Sequence, residues 1–296
     1  MAPANGRTIV AFASLVAILA WSPNAGADDD DHRLSWEFPR FHELEYGVTA
    51  ALFVELAFIE FRTTQPDQPR WTGPILIDEP IRDAFRLKNA SARDTVNAIS
   101  DPMTLGLQIL PAAIDGIVIP LVFDDWNIDV AWQMSMVNAL GLGLQGFLQR
   151  FSLRTVARER PDVAECREDP NYSSRCGGGE TSSFYSGHVG GAFAGAGLMC
   201  AHHLHLPLLG GGAPDVVACA VPMIAASSVG VIRVLGDRHY FSDVAVGAWV
   251  GLVSGYALPV LLHYSRPDED DVLASGLTVM PWAVPQAAGV SATGLF

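Results

Sequence analysis

Five apolar runs, each close to twenty residues long, constrain this chain more than anything else in it. They cover 103–123, 131–149, 184–201, 216–232 and 244–262. A helix needs about 20 residues to cross the hydrocarbon of a bilayer. Runs of that length, separated by polar links, predict an all-α bundle of about five to six mostly transmembrane helices. Hydrophobic residues make up 50% of the chain and charged residues 17%. That is more apolar than an ordinary soluble enzyme. The third run is rich in small residues between Gly190 and Gly197, which lets membrane helices approach closely. Pro222 and Pro259 interrupt the last two runs, which membrane helices tolerate.

The rest of the chain divides around this bundle. Arg7, the apolar stretch Thr8 to Trp21 and the small residues Ala25-Gly26-Ala27 read as a signal peptide over 1–27; an uncleaved anchor is the alternative. Residues 28–100 form an N-terminal extension with one apolar or amphipathic helix at 44–61. Glu45, Glu55 and Glu60 lie in that stretch. A charge at the bilayer centre costs at least ~2.5 kcal/mol, so we expect the helix to lie at the interface or against protein. Short helices are expected in the connector, for instance around Ile81 to Ile99. Residues 101–265 make the bundle, and 266–296 an acidic, then apolar, tail. The formal net charge of -14 leaves no basic surplus for nucleic acid. Cys166 and Cys176, in a polar loop of an exported chain, are expected to form a disulfide. Cys200 and Cys219, inside apolar runs, are expected to be buried and inert. His202, His203 and His205 cluster in a link and read as solvated loop histidines, with no metal site.

Three polar clusters sit at helix edges: Arg154 to Pro161, Ser182 to His188 and Arg233 to Asp243. An up-and-down bundle brings all three to one end. Their chemistry is complementary. Arg160 and Arg233 can bind a phosphate-like group in bidentate fashion. Ser186 and Gly187 precede a helix, whose free N–H groups favour an anion. His239 and Asp243 are four apart and would share a helix face, so that Asp243 orients the ring. His239 can then act as a nucleophile and His188 as a general acid.

Arg160-Pro161, Ser186-Gly187-His188 and Arg233-x5-His239-x3-Asp243 resemble the motifs of the type 2 phosphatidic acid phosphatase superfamily, which includes membrane lipid phosphatases, soluble acid phosphatases and vanadium haloperoxidases. The likeness covers about residues 100–265. It implies a membrane phosphatase acting on a lipid phosphomonoester or diphosphate without metal or other cofactor. His239 is the implied phosphohistidine nucleophile, Asp243 its orienter and His188 the general acid. Arg160, Arg233 and the Ser186 and Gly187 amides are the implied phosphate ligands. A vanadate-dependent haloperoxidase, or a non-catalytic envelope protein binding anionic lipid, is the alternative. Three positions depart from the pattern. Leu153 stands where the family has lysine, with Arg154 beside it as a substitute ligand. Tyr185 replaces proline and Ile232 replaces serine. These departures point to an active site with altered substrate preference. The resemblance and the loop cysteines together place the protein in a bacterial cell envelope, with the site facing the periplasm or exterior.

Overall fold

The small-residue run becomes the axis of the fold. In a computed structural model, residues 33–265 and two strand segments, 278–284 and 287–293, are described. The expected signal segment lies outside them. The described helices are α1 (Glu43–Arg62), α2 (Asp78–Phe85), α3 (Ala90–Leu110), α4 (Ile128–Val156), α5 (Val163–Glu168), α6 (Gly187–His205), α7 (Ala213–Leu235) and α8 (Phe241–Leu252). α3 continues in wider π-type turns through Pro111–Phe123, and α8 through Val253–Ala257 and Val260–Tyr264. The expected all-α bundle is present. The tail adds one antiparallel hairpin, β1 (Thr278–Val284) with β2 (Ala287–Thr293).

α6 is buried along nearly its whole length and contacts α3, α4, α7 and α8. Its composition is the reason. A Cβ at Gly195 would collide with the backbone carbonyl of Leu107 in α3, so only glycine lets the two helices close to backbone contact there. Among the described residues, three helices around this axis are long and apolar enough to cross a membrane: Ala90–Phe123, Ala213–Leu235 and Phe241–Tyr264. Their outer faces carry exposed Ile109, Val217, Ile224, Trp249 and Leu261. This is the surface of a membrane protein, whose lipid-facing residues need no burial against protein.

The helix boundaries follow local chemistry. Asn89 and Asn127 accept hydrogen bonds from Ala92 N and Val130 N and cap α3 and α4. α4 ends where Ala157 turns left-handed at φ 46°. The short helices expected around Ile81 to Ile99 are α2 and the first turns of α3, separated at 86–89. α1 packs along α4. Near its start, Glu45 reaches His263 at 3.3 Å; near its end, Glu60 reaches Arg150 at 3.2 Å. α1 therefore runs the height of the bundle, with exposed Val54, Phe58 and Phe61.

Two expectations away from the site are corrected. Cys200 and Cys219 are not free: they form a disulfide across the α6–α7 hairpin, with Cα atoms 4.2 Å apart. The antiparallel packing of α6 and α7 brings together two residues that lie in separate apolar runs of the sequence. His202, His203 and His205 belong to the last turns of α6, and the first two are buried. His202 bonds Tyr264 Oη and Asn138 Oδ1, and His203 bonds Asp215 at 2.5 Å. Asp215 also accepts from Leu209 N and Gly211 N, so the carboxylate arrives from beyond the link. Among the described residues no cluster has the makings of a metal site. The expected Cys166–Cys176 disulfide is present, with Cα atoms 5.5 Å apart.

Candidate active site

The three polar clusters meet at one end of the bundle, where α4 and α7 end and α6 and α8 begin. A cavity of about 960 Å³ opens there. Arg160, Gly187, His188 and His239 line it, with Arg154 on the α4 wall. Its other walls include the apolar side chains Phe53 and Leu56 of α1 and Leu105 of α3.

His239 is held differently from the helical pairing expected of it. It lies before α8, whose N-cap is Tyr240, so His239 and Asp243 do not share a helix face. Their closest approach is 3.9 Å, from Nδ1 to Oδ2. Nδ1 instead sits 2.8 Å from the carbonyl oxygen of Ser183. A carbonyl can only accept, so Nδ1 carries the proton and Nε2 is left with its lone pair. Arg160 Nη1 lies 3.3 Å from that Nε2. Asp243 acts one step back. Its Oδ2 accepts the Ser183 hydroxyl at 2.6 Å and the Tyr240 N–H at 3.0 Å. It thus fixes both segments that flank the ring. Burial pushes His239 well below the usual imidazole range, and the nearby Arg160 and Arg233 charges push it further. The ring is neutral at physiological pH.

His188, in the first turn of α6, has its Nε2 2.8 Å from Asp101 Oδ1. Enclosure by the cavity walls is the main cause that lowers its pKa, to about 4; the Arg233 charge adds to it and Asp101 opposes it. Arg160 is anchored by its Nε and Nη2 to Ser182 Oγ at 3.2 and 3.0 Å and by its Nη1 to the Arg238 carbonyl at 2.8 Å. Arg233 stands behind the cavity rather than in its wall. It is 1% exposed, donates to Ser100 Oγ at 2.9 Å and has an unpartnered buried Nε.

The helix-start corner also differs in detail. Ser186 is the N-cap of α6, but its own N–H donates to the Asp243 carbonyl at 3.1 Å and is therefore not open to an anion. Its buried hydroxyl has no partner. Gly187 begins the helix and lines the cavity, so the first-turn amides remain available. Leu153 is buried in the wall at the position where a lysine was expected. Arg154 is held by Thr63 Oγ1 at 3.0 Å and Gln65 Oε1 at 2.6 Å, which ties α4 to the N-terminal extension.

Motif reading missed the support for these groups. Arg158 is fully buried. It bridges Asp78 Oδ2 at 2.8 Å and Asp243 Oδ1 at 2.6 Å. Its guanidinium carbon lies 3.9 Å from the Trp71 ring centroid and 4.3 Å from that of Tyr240. Asp78 also accepts from Ser242 N and Oγ. The extension before the bundle therefore braces the site. The only sequence signal for Asp78 was an acid in a polar connector.

Residues 134–267 match the family model described as the PAP2 superfamily. The lipid A 1-phosphatase of Porphyromonas gingivalis is 31% identical over 123 residues, or 42% of this chain. The chain spans 22% of that curated relative's length. No solved structure matches the chain at a significant level.

Proposed function

We propose that this chain, a member of the PAP2 superfamily through residues 134–267, is a membrane phosphatase that removes phosphate from a lipid phosphomonoester or diphosphate. The observation that carries the reading is the neutral His239 with its Nε2 turned to Arg160 in a cavity that also has apolar walls. The curated relative's name, lipid A 1-phosphatase, supports a lipid substrate.

In this mechanism the phosphate lies against Arg160, the first-turn amides of α6 and the Ser186 hydroxyl, with Arg233 adding charge from behind. These donors offset the charge that develops on the transferring phosphoryl group. His239 Nε2 attacks phosphorus and the P–O bond to the lipid breaks. The leaving alkoxide takes the proton from His188. Water gives a proton to the deprotonated His188 and attacks phosphorus, the P–N bond to His239 breaks, and phosphate leaves. Asp243 positions His239 through Ser183 and the Tyr240 backbone.

In this reading the site lies on the periplasmic or exterior face, on the strength of the Cys166–Cys176 disulfide in the loop beside it; the Cys200–Cys219 disulfide, towards the other end of α6 and α7, does not distinguish the two faces.

Phosphate release from a panel of lipid phosphates, followed from pH 8 to pH 5, tests the reading. Above about pH 4 the free His188 loses its proton, and the protonated fraction falls with rising pH. His239 stays neutral throughout. kcat/KM should therefore rise by at least ~10-fold towards pH 5, and vanadate should inhibit. A flat profile would contradict the role of His188. Peroxide-dependent bromide oxidation with vanadate, and no phosphate release, would replace the reading by a haloperoxidase.

A further inference from the structure

We propose that the turn Ile75-Leu76-Ile77 and Phe85, at the two ends of α2, insert into the headgroup layer of the bilayer and hold the N-terminal extension against the membrane beside the site. The partner is the lipid surface itself rather than a substrate in the cavity.

α2 lies across the turn that joins α7 to α8. Ser242 N donates to Asp78 Oδ1 at 2.8 Å at its start, Arg82 Nε donates to Asp237 Oδ1 at 2.7 Å in its middle, and Leu87 N donates to the Leu235 carbonyl at 3.0 Å just past its end. α7 ends at Leu235 and α8 begins at Phe241, and both belong to helices long and apolar enough to cross a membrane. A helix pinned across the ends of two such spans lies along the membrane surface. The lipid-facing surface reaches that level: Val231, one turn before the end of α7, and Phe241 are exposed.

The side chains at this level are apolar. Ile75, Leu76 and Ile77 are all exposed, Leu76 at 91%. Leu76 is also held left-handed at φ 51°, a conformation that leucine rarely adopts. Three consecutive exposed apolar residues in such a turn mark a contact surface rather than a solvated one. Phe85 adds a direction. Residues 78, 82 and 85 fall on one face of a helix. Asp78 and Arg82 are buried on the bundle, whereas Phe85 is 59% exposed. Its ring therefore overhangs the rim of the bundle on the side that faces the bilayer. Between Ile75 and Lys88 three acids balance three bases, so the contact is apolar and needs no anionic lipid. Asp78 opens α2 and also holds Arg158, so one helix joins the bilayer surface to the brace behind His239.

The test uses the full-length protein in phosphatidylcholine vesicles, with single cysteines introduced and labelled with a small fluorophore. The native cysteines are paired and leave the label to the new one. The labels in Leu76→Cys and in Phe85→Cys should each lose at least about half their emission to lipids with a nitroxide near the head of the acyl chain, the depth an interfacial helix reaches, and should resist iodide in the water. A label in Asp83→Cys, on the outer side of α2, should show the reverse. Quenching of the Leu76→Cys and Phe85→Cys labels by iodide and not by the lipid nitroxide would overturn the inference. So would protection from both quenchers, which would mean that protein covers the patch. A label in Ile224→Cys, on the lipid face of α7, should be quenched by a nitroxide placed deeper in the acyl chain. If it is not, the spans themselves lie outside the bilayer, and the membrane reading falls together with the inference.

Discussion

Replacing His239 with alanine should lower kcat for phosphate release by at least ~10³-fold, because it removes the attacking atom. The loss should not come through the fold. Asp243 keeps its bonds to Arg158, the Ser183 hydroxyl and the Tyr240 N–H when the ring is gone, and the Arg160 anchors to Ser182 and the Arg238 carbonyl remain. The variant should melt close to the wild type and still bind phosphate. Activity within tenfold of the wild type would remove His239 from the chemistry. His188 does not replace it, because its Nε2 is engaged by Asp101 at 2.8 Å and its assigned task is to give a proton, not to form a bond to phosphorus.

Replacing Arg158 with methionine should be the most destabilising single change near the site, at about 3–5 kcal/mol. The guanidinium is fully buried and bridges two buried carboxylates, Asp78 and Asp243. Methionine keeps much of the volume but strands both acids without a counter-charge. It also removes the cation from between Trp71 and Tyr240. Thermal unfolding in detergent checks this. Arg158→Lys keeps one charge but not the two-pronged geometry and should fall between the two. A melting temperature for Arg158→Met equal to that of the wild type would show that the brace between the N-terminal extension and the site contributes nothing. Because Asp243 fixes the segments around His239, the methionine variant should also lose activity at temperatures where it remains folded.

The bundle was legible because its physics is written locally. Long apolar runs, a glycine-rich axis and even numbers of crossings between clusters suffice to place Arg160, His188 and His239 around one cavity. What escaped depends on approach in three dimensions. Cys200 and Cys219 pair only because α6 and α7 are antiparallel neighbours, and His203 finds its carboxylate twelve residues away, beyond the link. A spacing of four suggested that Asp243 grips His239 directly. The chain instead starts α8 after the histidine, so the carboxylate caps the helix and Ser183 holds the ring. The departures at Leu153 and Arg154 read differently once seen in place: Leu153 is part of the cavity wall, and Arg154 is bonded to Thr63 and Gln65 of the extension.

The mechanism turns on covalent transfer of the phosphoryl group to His239. The direct measurement is to mix the purified protein with a lipid phosphate carrying labelled phosphorus, quench within one turnover, and map the label by mass spectrometry under conditions that preserve phosphohistidine. The label should appear on His239 in the wild type, and none should appear on the peptide carrying that position in His239→Ala. Turnover of the lipid phosphate with no label on His239, or with label on another residue, would contradict it.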